Sequence, residues 1–211
     1  MERSPRRGLM LIVSSPSGAG KTSLCRRLMA DHAELVLSIS VTTRQARPGE
    51  QDGREYHFVD EARFTELKLA DAFLEEAKVH EHFYGSPRAP VEQALSDGRD
   101  VLFDIDWQGS KRISQAAPSD VVRVFILPPS IAELRRRLYA RAQDEAAVIE
   151  RRVGRARDEI AHWREYDYVI VNDDFDRSYA ELAHIYHAER TRPVRNGWVA
   201  PFVDGLLSES A

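Results

Sequence analysis

An α/β fold, a parallel sheet flanked by helices, is predicted by two features of this 211-residue chain. Short apolar runs of buried-strand type alternate with segments of helical period, and two polar stretches interrupt that alternation without ending it. A chain that is 43% hydrophobic at this length buries one sizeable core, with the interruptions carried as insertions.

Taken in order, residues 1–7 hold Arg3, Arg6 and Arg7 and read as a loose basic arm, because chain ends are usually solvated. The runs at 9–14, 101–105, 121–127 and 168–171 are rich in Val, Ile, Leu and Phe and read as buried strands of a parallel sheet. Residues 41–90 break the rhythm. They contain the turn sequences Arg47-Pro48-Gly49-Glu50 and Asp52-Gly53, a short strand candidate at 56–59 and a helical piece at 61–69, the pattern of a small subdomain inserted into the main sheet. The second interruption, 134–163, is helical over 134–159 and dense in arginine. The core is accordingly 8–40, 91–133 and 164–190. After residue 190 the period is lost among Pro193, Asn196-Gly197 and Pro201, so 191–211 reads as a partly ordered tail.

The charges nearly cancel, to −4, so nothing global draws the chain to nucleic acid or to a membrane, and any anion it holds is held locally. Cys25 is the single cysteine, which excludes an internal disulfide and a thiolate metal site and suits a reducing, cytoplasmic setting. The apolar run at 9–13 is too short for a signal-peptide core or a membrane span.

The first strand runs directly into Ser15-Pro16-Ser17-Gly18-Ala19-Gly20-Lys21-Thr22 and then into a helical segment. A triphosphate needs converging backbone amides, a helix N-terminus, a cation and a hydroxyl for Mg²⁺. Gly18 and Gly20 supply permissive backbone, Lys21 the charge and Thr22 the metal ligand. Only Ser15 departs from the Walker A pattern, standing where the first glycine is usual. The core is therefore of P-loop NTPase type, with ATP as the ligand. Residues 101–105 form an apolar strand whose end holds Asp104, followed by Asp106, where a second carboxylate element would steady Mg²⁺. Alone, such aspartates are more often helix caps; paired with the loop above, the metal role is the better reading for Asp104.

The acceptor is named by a resemblance. Residues 40–50, Gly53-Arg54-Glu55-Tyr56, Phe73-Leu74-Glu75, Phe83-Tyr84-Gly85-Ser86, residues 104–109 and Val171-Asn172-Asp173-Asp174, in that order, resemble guanylate kinase. The resemblance implies that 41–90 binds GMP, with dGMP left open beside it, and that 134–163 is a lid. It implies that Arg44, Arg47, Tyr56 and Tyr84 hold the GMP phosphate, and that Ser40, Glu75, Ser86 and Asp106 hold the base. Arg137 and Asn172 then serve ATP, and Arg141 and Arg152 contact the transferring phosphoryl group together with Lys21 and Arg44. The chemistry agrees: guanidinium and phenol groups suit a phosphate, and a carboxylate accepts from guanine N1–H and N2–H₂, donors that adenine lacks.

The expected activity is transfer of the γ-phosphoryl group of ATP to GMP. Two alternatives stay open, a sister P-loop kinase with another acceptor and a non-catalytic guanylate-kinase-like binding module. Period alone does not separate core from homo-oligomer contact at Ile113 or at 179–186. For the lid, losing one preorganised donor to developing charge costs roughly 2.7–4 kcal/mol, whereas an exposed ion pair contributes about 0–1. Arg141→Ala is therefore expected to lower kcat about a hundredfold with little change in Tm. Turnover within about threefold of wild type would assign Arg141 to a solvated helix face.

Overall fold

The computed structural model describes residues 6–79, 81–140 and 145–209. In chain order the strands and helices are β1 (Met10–Ser14), α1 (Lys21–Asp31), β2 (Leu35–Leu37), β3 (Val41–Thr42), β4 (His57–Phe58), α2 (Glu61–Leu69), β5 (Phe73–Val79), β6 (His82–Pro87) and α3 (Arg88–Ser96). They continue as β7 (Asp100–Asp104), α4 (Trp107–Ala116), β8 (Val121–Leu127), α5 (Ile131–Ala140), α6 (Ala146–Ala161), β9 (Tyr168–Val171), α7 (Phe175–Arg190) and α8 (Val199–Ser208).

The main sheet has the order β2-β7-β1-β8-β9, and every pair in it is parallel. All five residues of β1 are buried, as a central strand covered on both faces requires. Its side chains alternate between two cores. Leu9, Leu11 and Val13 pack with Leu24, Cys25 and Leu28 of α1 and with Leu182 and Tyr186 of α7, while Met10 and Ile12 pack with Val91 and Leu95 of α3 and Ile113 of α4. Burial in the first of these layers pushes the Cys25 thiol up to about 12, so it is a packing group. Ile113 and Tyr186, both fully buried, are core residues.

The second sheet, β4-β3-β6-β5, is built within the interruption expected at 41–90. β3 pairs in parallel with β4 and antiparallel with β6, which pairs antiparallel with β5. Its own core is small: Phe64 of α2 stacks on Phe73 and Phe83 at 4.8 and 5.4 Å. Leu74 faces the other way and joins the core under α3 and α4, so the insertion is anchored to the main body. The arginine-rich stretch forms α5 and α6, which close a further apolar cluster of Leu134, Leu138, Ile149, Val153 and Ala156.

Both chain ends correct the sequence reading. Arg6 and Arg7, expected in a loose arm, are tied down. Arg6 donates to Asp100 at 2.5 Å, and Arg7 to Asp120 at 2.6 Å and Glu92 at 3.0 Å. The supposed tail contributes Arg195, which is buried, donates to the Glu189 carbonyl at 3.0 Å and accepts from the Arg7 amide, and it then forms α8. Ion pairs between segments far apart in sequence leave no periodicity, which is why neither end was legible. Among the described residues no helix is long and apolar enough to cross a membrane.

Asp100, with no exposed surface, is where these ends converge. It accepts from the Leu9 amide at 2.8 Å, Tyr186 Oη at 2.7 Å and Arg6, and its Oδ2 lies 3.4 Å from Arg190 Nε. Asp100→Ala would leave two guanidinium groups and two other donors without their acceptor, and is expected to cost about 3–5 kcal/mol in urea denaturation. A loss below about 1 kcal/mol would mean that those groups rehydrate freely.

Candidate active site

Parallel strands bring their C-terminal ends to one edge of the main sheet, and the loops leaving that edge build the site. β1 ends at Ser14 and turns through residues 15–20 into α1. Gly18 and Gly20 have φ of +94° and +100°, the left-handed region where a side chain is strained. At Gly20 space is closed as well, since a Cβ would lie 2.2 Å from Asn172 Nδ2. That Nδ2 donates to the Ala19 carbonyl at 2.7 Å, and Arg137 donates to the carbonyls of Asn172 at 3.0 Å and Ala19 at 3.4 Å. The loop is thus held from behind through its carbonyls. No side chain caps α1, and its first residues, Lys21 and Thr22, border a concavity of about 270 Å³ together with residues 15–18 and Gly20.

Asp104, the last residue of β7, forms an ion pair with Lys21 across this concavity. Thr22 lies exposed in the first turn of α1. A hydroxyl and a carboxylate are hard oxygen donors, and among the described residues no three His, Cys, Asp or Glu side chains converge. Such a donor pair fits Mg²⁺ that arrives with phosphate oxygens completing its shell. Asp106 caps α4, accepting from the Gly109 amide at 2.8 Å through one oxygen.

The second sheet presents the other group of residues. Arg44 donates to Glu50 at 2.9 Å and lies over the Tyr56 ring at 5.3 Å. Tyr84 adds to the environment that raises the Arg44 guanidinium, after Glu50, and the Tyr56 and Tyr84 rings meet edge to face with centroids 5.9 Å apart. Arg44, Tyr56 and Tyr84 therefore form one cluster of donors. Glu50 also accepts from the Arg47 amide at 2.8 Å, so it shapes the turn carrying both arginines; the Arg47 side chain is exposed. Burial raises the Tyr56 phenol above its ordinary range, keeping it a neutral donor at neutral pH.

Glu75 on β5 stands opposite Ser86 on β6, whose hydroxyl donates to it at 3.0 Å; both are buried. Burial pushes the Glu75 carboxyl above the usual carboxylate range, the Ser86 hydroxyl and Arg112 oppose that, and Asp106 adds to it. Ser40 lies just before β3, and its carbonyl accepts from the His57 amide at 2.9 Å. Arg112 of α4, which the sequence did not single out, has its Nε 3.6 Å from Glu75 Oε2.

The helical stretch meets the first group through Arg137 as described, and Glu133 holds Arg137 at 2.8 Å and Arg136 at 2.7 Å. Hydrogen bonds from Arg136 and then Arg137 pull the Glu133 carboxyl down to about 2. Arg152 lies exposed on α6, and Arg141 lies outside the described residues. Glu159, near the end of α6, borders the P-loop concavity; its carboxyl is raised by burial and then by Asp106, with Lys21 and the Ser17 amide opposing. Only the packing of α6 brings it there, so the sequence had no signal for it.

The family model described as guanylate kinase matches residues 7–189. The chain is 58% identical to the guanylate kinase of Caulobacter vibrioides over 97% of this chain and 96% of that one. It is 56% identical to the guanylate kinase of Rhodospirillum rubrum over 96% and 93%. Its fold matches the crystal structure of guanylate kinase from Anaplasma phagocytophilum with a TM-score of 0.79, at 34% identity and 98% coverage of both chains.

The closed space at Gly20 gives a direct test of the loop. Gly20→Ala is expected to lose about 1–3 kcal/mol of stability in thermal denaturation and to weaken ATP binding at least about tenfold in calorimetry. Wild-type behaviour on both counts would show that Asn172 moves aside without cost.

Proposed function

This chain belongs to the guanylate kinase family and transfers the γ-phosphoryl group of ATP to GMP, and from that premise we propose which of its residues do what. The observation that carries the assignment is the meeting of two sites, each on its own sheet, at residues 104–106. Asp104 pairs with Lys21 of the P-loop, and Asp106 acts electrostatically on Glu75 of the second sheet.

ATP binds along residues 15–22, on backbone amides that include those of Lys21 and Thr22, with Lys21 on its terminal phosphates and with Arg137 and Asn172 fixing the loop beneath it. Thr22 and Asp104 hold Mg²⁺, which neutralises phosphate charge when bound. The insertion at 41–90 is the GMP-binding unit. Arg44, Arg47, Tyr56 and Tyr84 grip its phosphate, and Ser40, Glu75, Ser86 and Asp106 receive its base.

The reaction then needs no covalent nucleophile from the protein. An oxygen of the GMP phosphate attacks the γ-phosphorus, a P–O bond forms, and the bond from that phosphorus to the β–γ bridging oxygen breaks, leaving ADP and GDP. Negative charge spreads over the moving group, where Lys21, Arg44, Arg141 and Arg152 stabilise it. The lid at 134–163 brings its cations by closing, which also excludes water. Cytoplasmic residence is part of this proposal, supported by the buried, unpaired Cys25. The substrates are small molecules, and neither nucleic acid nor a membrane enters the reading.

Glu75 carries the choice of acceptor, because a buried carboxylate left without donors is costly. In an ADP-release assay with ATP and Mg²⁺, kcat/KM for GMP is expected to exceed that for AMP by about 10⁴, and Glu75→Gln to erase most of that ratio. Comparable turnover of AMP, UMP or CMP would assign the chain to a sister kinase, and failure to bind ATP would point to a binding module.

A further inference from the structure

We infer that Arg112 of α4 is a positioning residue for acceptor selection: from the main body it keeps Glu75, on the inserted sheet, charged and correctly aimed for a guanine base. This rests on the reading of Glu75 given above.

Three observations carry it. The Arg112 Nε lies 3.6 Å from Glu75 Oε2, an ion pair whose separation is too long for a hydrogen bond. Nε is itself buried and has no hydrogen-bond partner, so through this nitrogen Arg112 acts on Glu75 by charge. Third, the two exposures differ: the Glu75 side chain is 7% exposed and that of Arg112 37%. The cation thus stays partly hydrated while the anion is desolvated, which lowers the cost of holding it beside a buried carboxylate.

The groups that act most on the Glu75 carboxyl are Ser86 from β6, Arg112 from α4 and Asp106 at the α4 N-cap, and Lys68, Asp71, Glu76 and Arg88 border the concavity it shares with Arg112. Burial and Asp106 both favour the neutral acid; Ser86 and Arg112 favour the carboxylate, and Arg112 is the cation among the groups that act most. Guanine offers two donors and requires the ionised form. As pH falls, binding is lost when Glu75 takes up a proton, and without Arg112 that loss begins at higher pH. Removing an opposite charge at this distance pushes the carboxyl further up, so a smaller fraction is ionised at the acid end of the range.

The test compares wild type, R112Q and R112K with saturating ATP and Mg²⁺ from pH 5.5 to 8.5. The GMP phosphate titrates identically for all three, so it cancels in a ratio of KM values. The ratio of R112Q to wild type for GMP is expected to stay near one at the alkaline end and to rise steadily toward the acid end, with kcat within about twofold throughout. R112K, which keeps the charge, is expected to stay within about threefold of wild type across the range. In an E75Q background the R112Q effect should lose its pH dependence. A ratio that stays flat with pH, or one that varies equally in the E75Q background, overturns the inference and reduces Arg112 to packing. Should R112Q not give the wild-type circular dichroism spectrum, R112M, which keeps the aliphatic stem, is read in the same way. A wild-type protein that does not turn over GMP overturns the function itself, and this inference with it.

Discussion

The structure depends on leaving the start of α1 without a side-chain cap while the loop before it is held through its carbonyls. Buried amides and carbonyls are costly without partners, yet a P-loop whose amides were already bonded could not receive a phosphate. The solution lies on the carbonyl side. Asn172 and Arg137, arriving from the ends of β9 and α5, take the Ala19 carbonyl from behind, and the left-handed Gly20 turns the following amides outward. Asn172 lies next to Gly20 because β9 and β1 both end at the same edge, on either side of β8. The parallel sheet is therefore the reason that this loop can exist.

A second constraint is charge. The two substrates are both anions, and the protein that joins them has a net charge of −4. Its arginines are accordingly given individual partners: Glu50 for Arg44, Glu133 for Arg136 and Arg137, and Glu150 for Arg135. The more exposed of these, at Arg135 and Arg136, contribute little to stability. Their effect is to hold each guanidinium in a defined place before an anion arrives, which reduces the ordering cost of binding. Glu75 is the inverse case, a carboxyl that burial pushes up and that Ser86 and the neighbouring cation Arg112 pull down.

Legibility followed locality. The strand at 9–14, the P-loop after it and the helix at 61–69 were readable because hydrophobic period and glycine spacing act over a few residues. β2, β5 and β6 were not singled out as strands. Each is short or mixes apolar and charged residues, and its identity comes from its neighbours in the sheet. The ends of the chain misled for the same reason: Arg6, Arg7 and Arg195 look like solvated charges until Asp100, Asp120 and Glu189 are brought beside them. For the site, the residue types and their order were legible, and Arg44, Tyr56 and Tyr84 do meet. Glu50, Arg112 and Glu159 stayed hidden among many similar charges.

The amino-acid sequence alone determined the α/β class, the phosphate-binding loop and the chemistry of the acceptor groups. These follow from backbone freedom, hydrophobic period and side-chain functional groups, which are properties of short segments. Only the tertiary structure decided that Asp104 faces Lys21, that Asn172 and Arg137 support the loop rather than lie beside it, and that Arg112 stands next to Glu75. Those relations depend on distance and dielectric between segments tens of residues apart, and burial sets the strength of every charge–charge interaction.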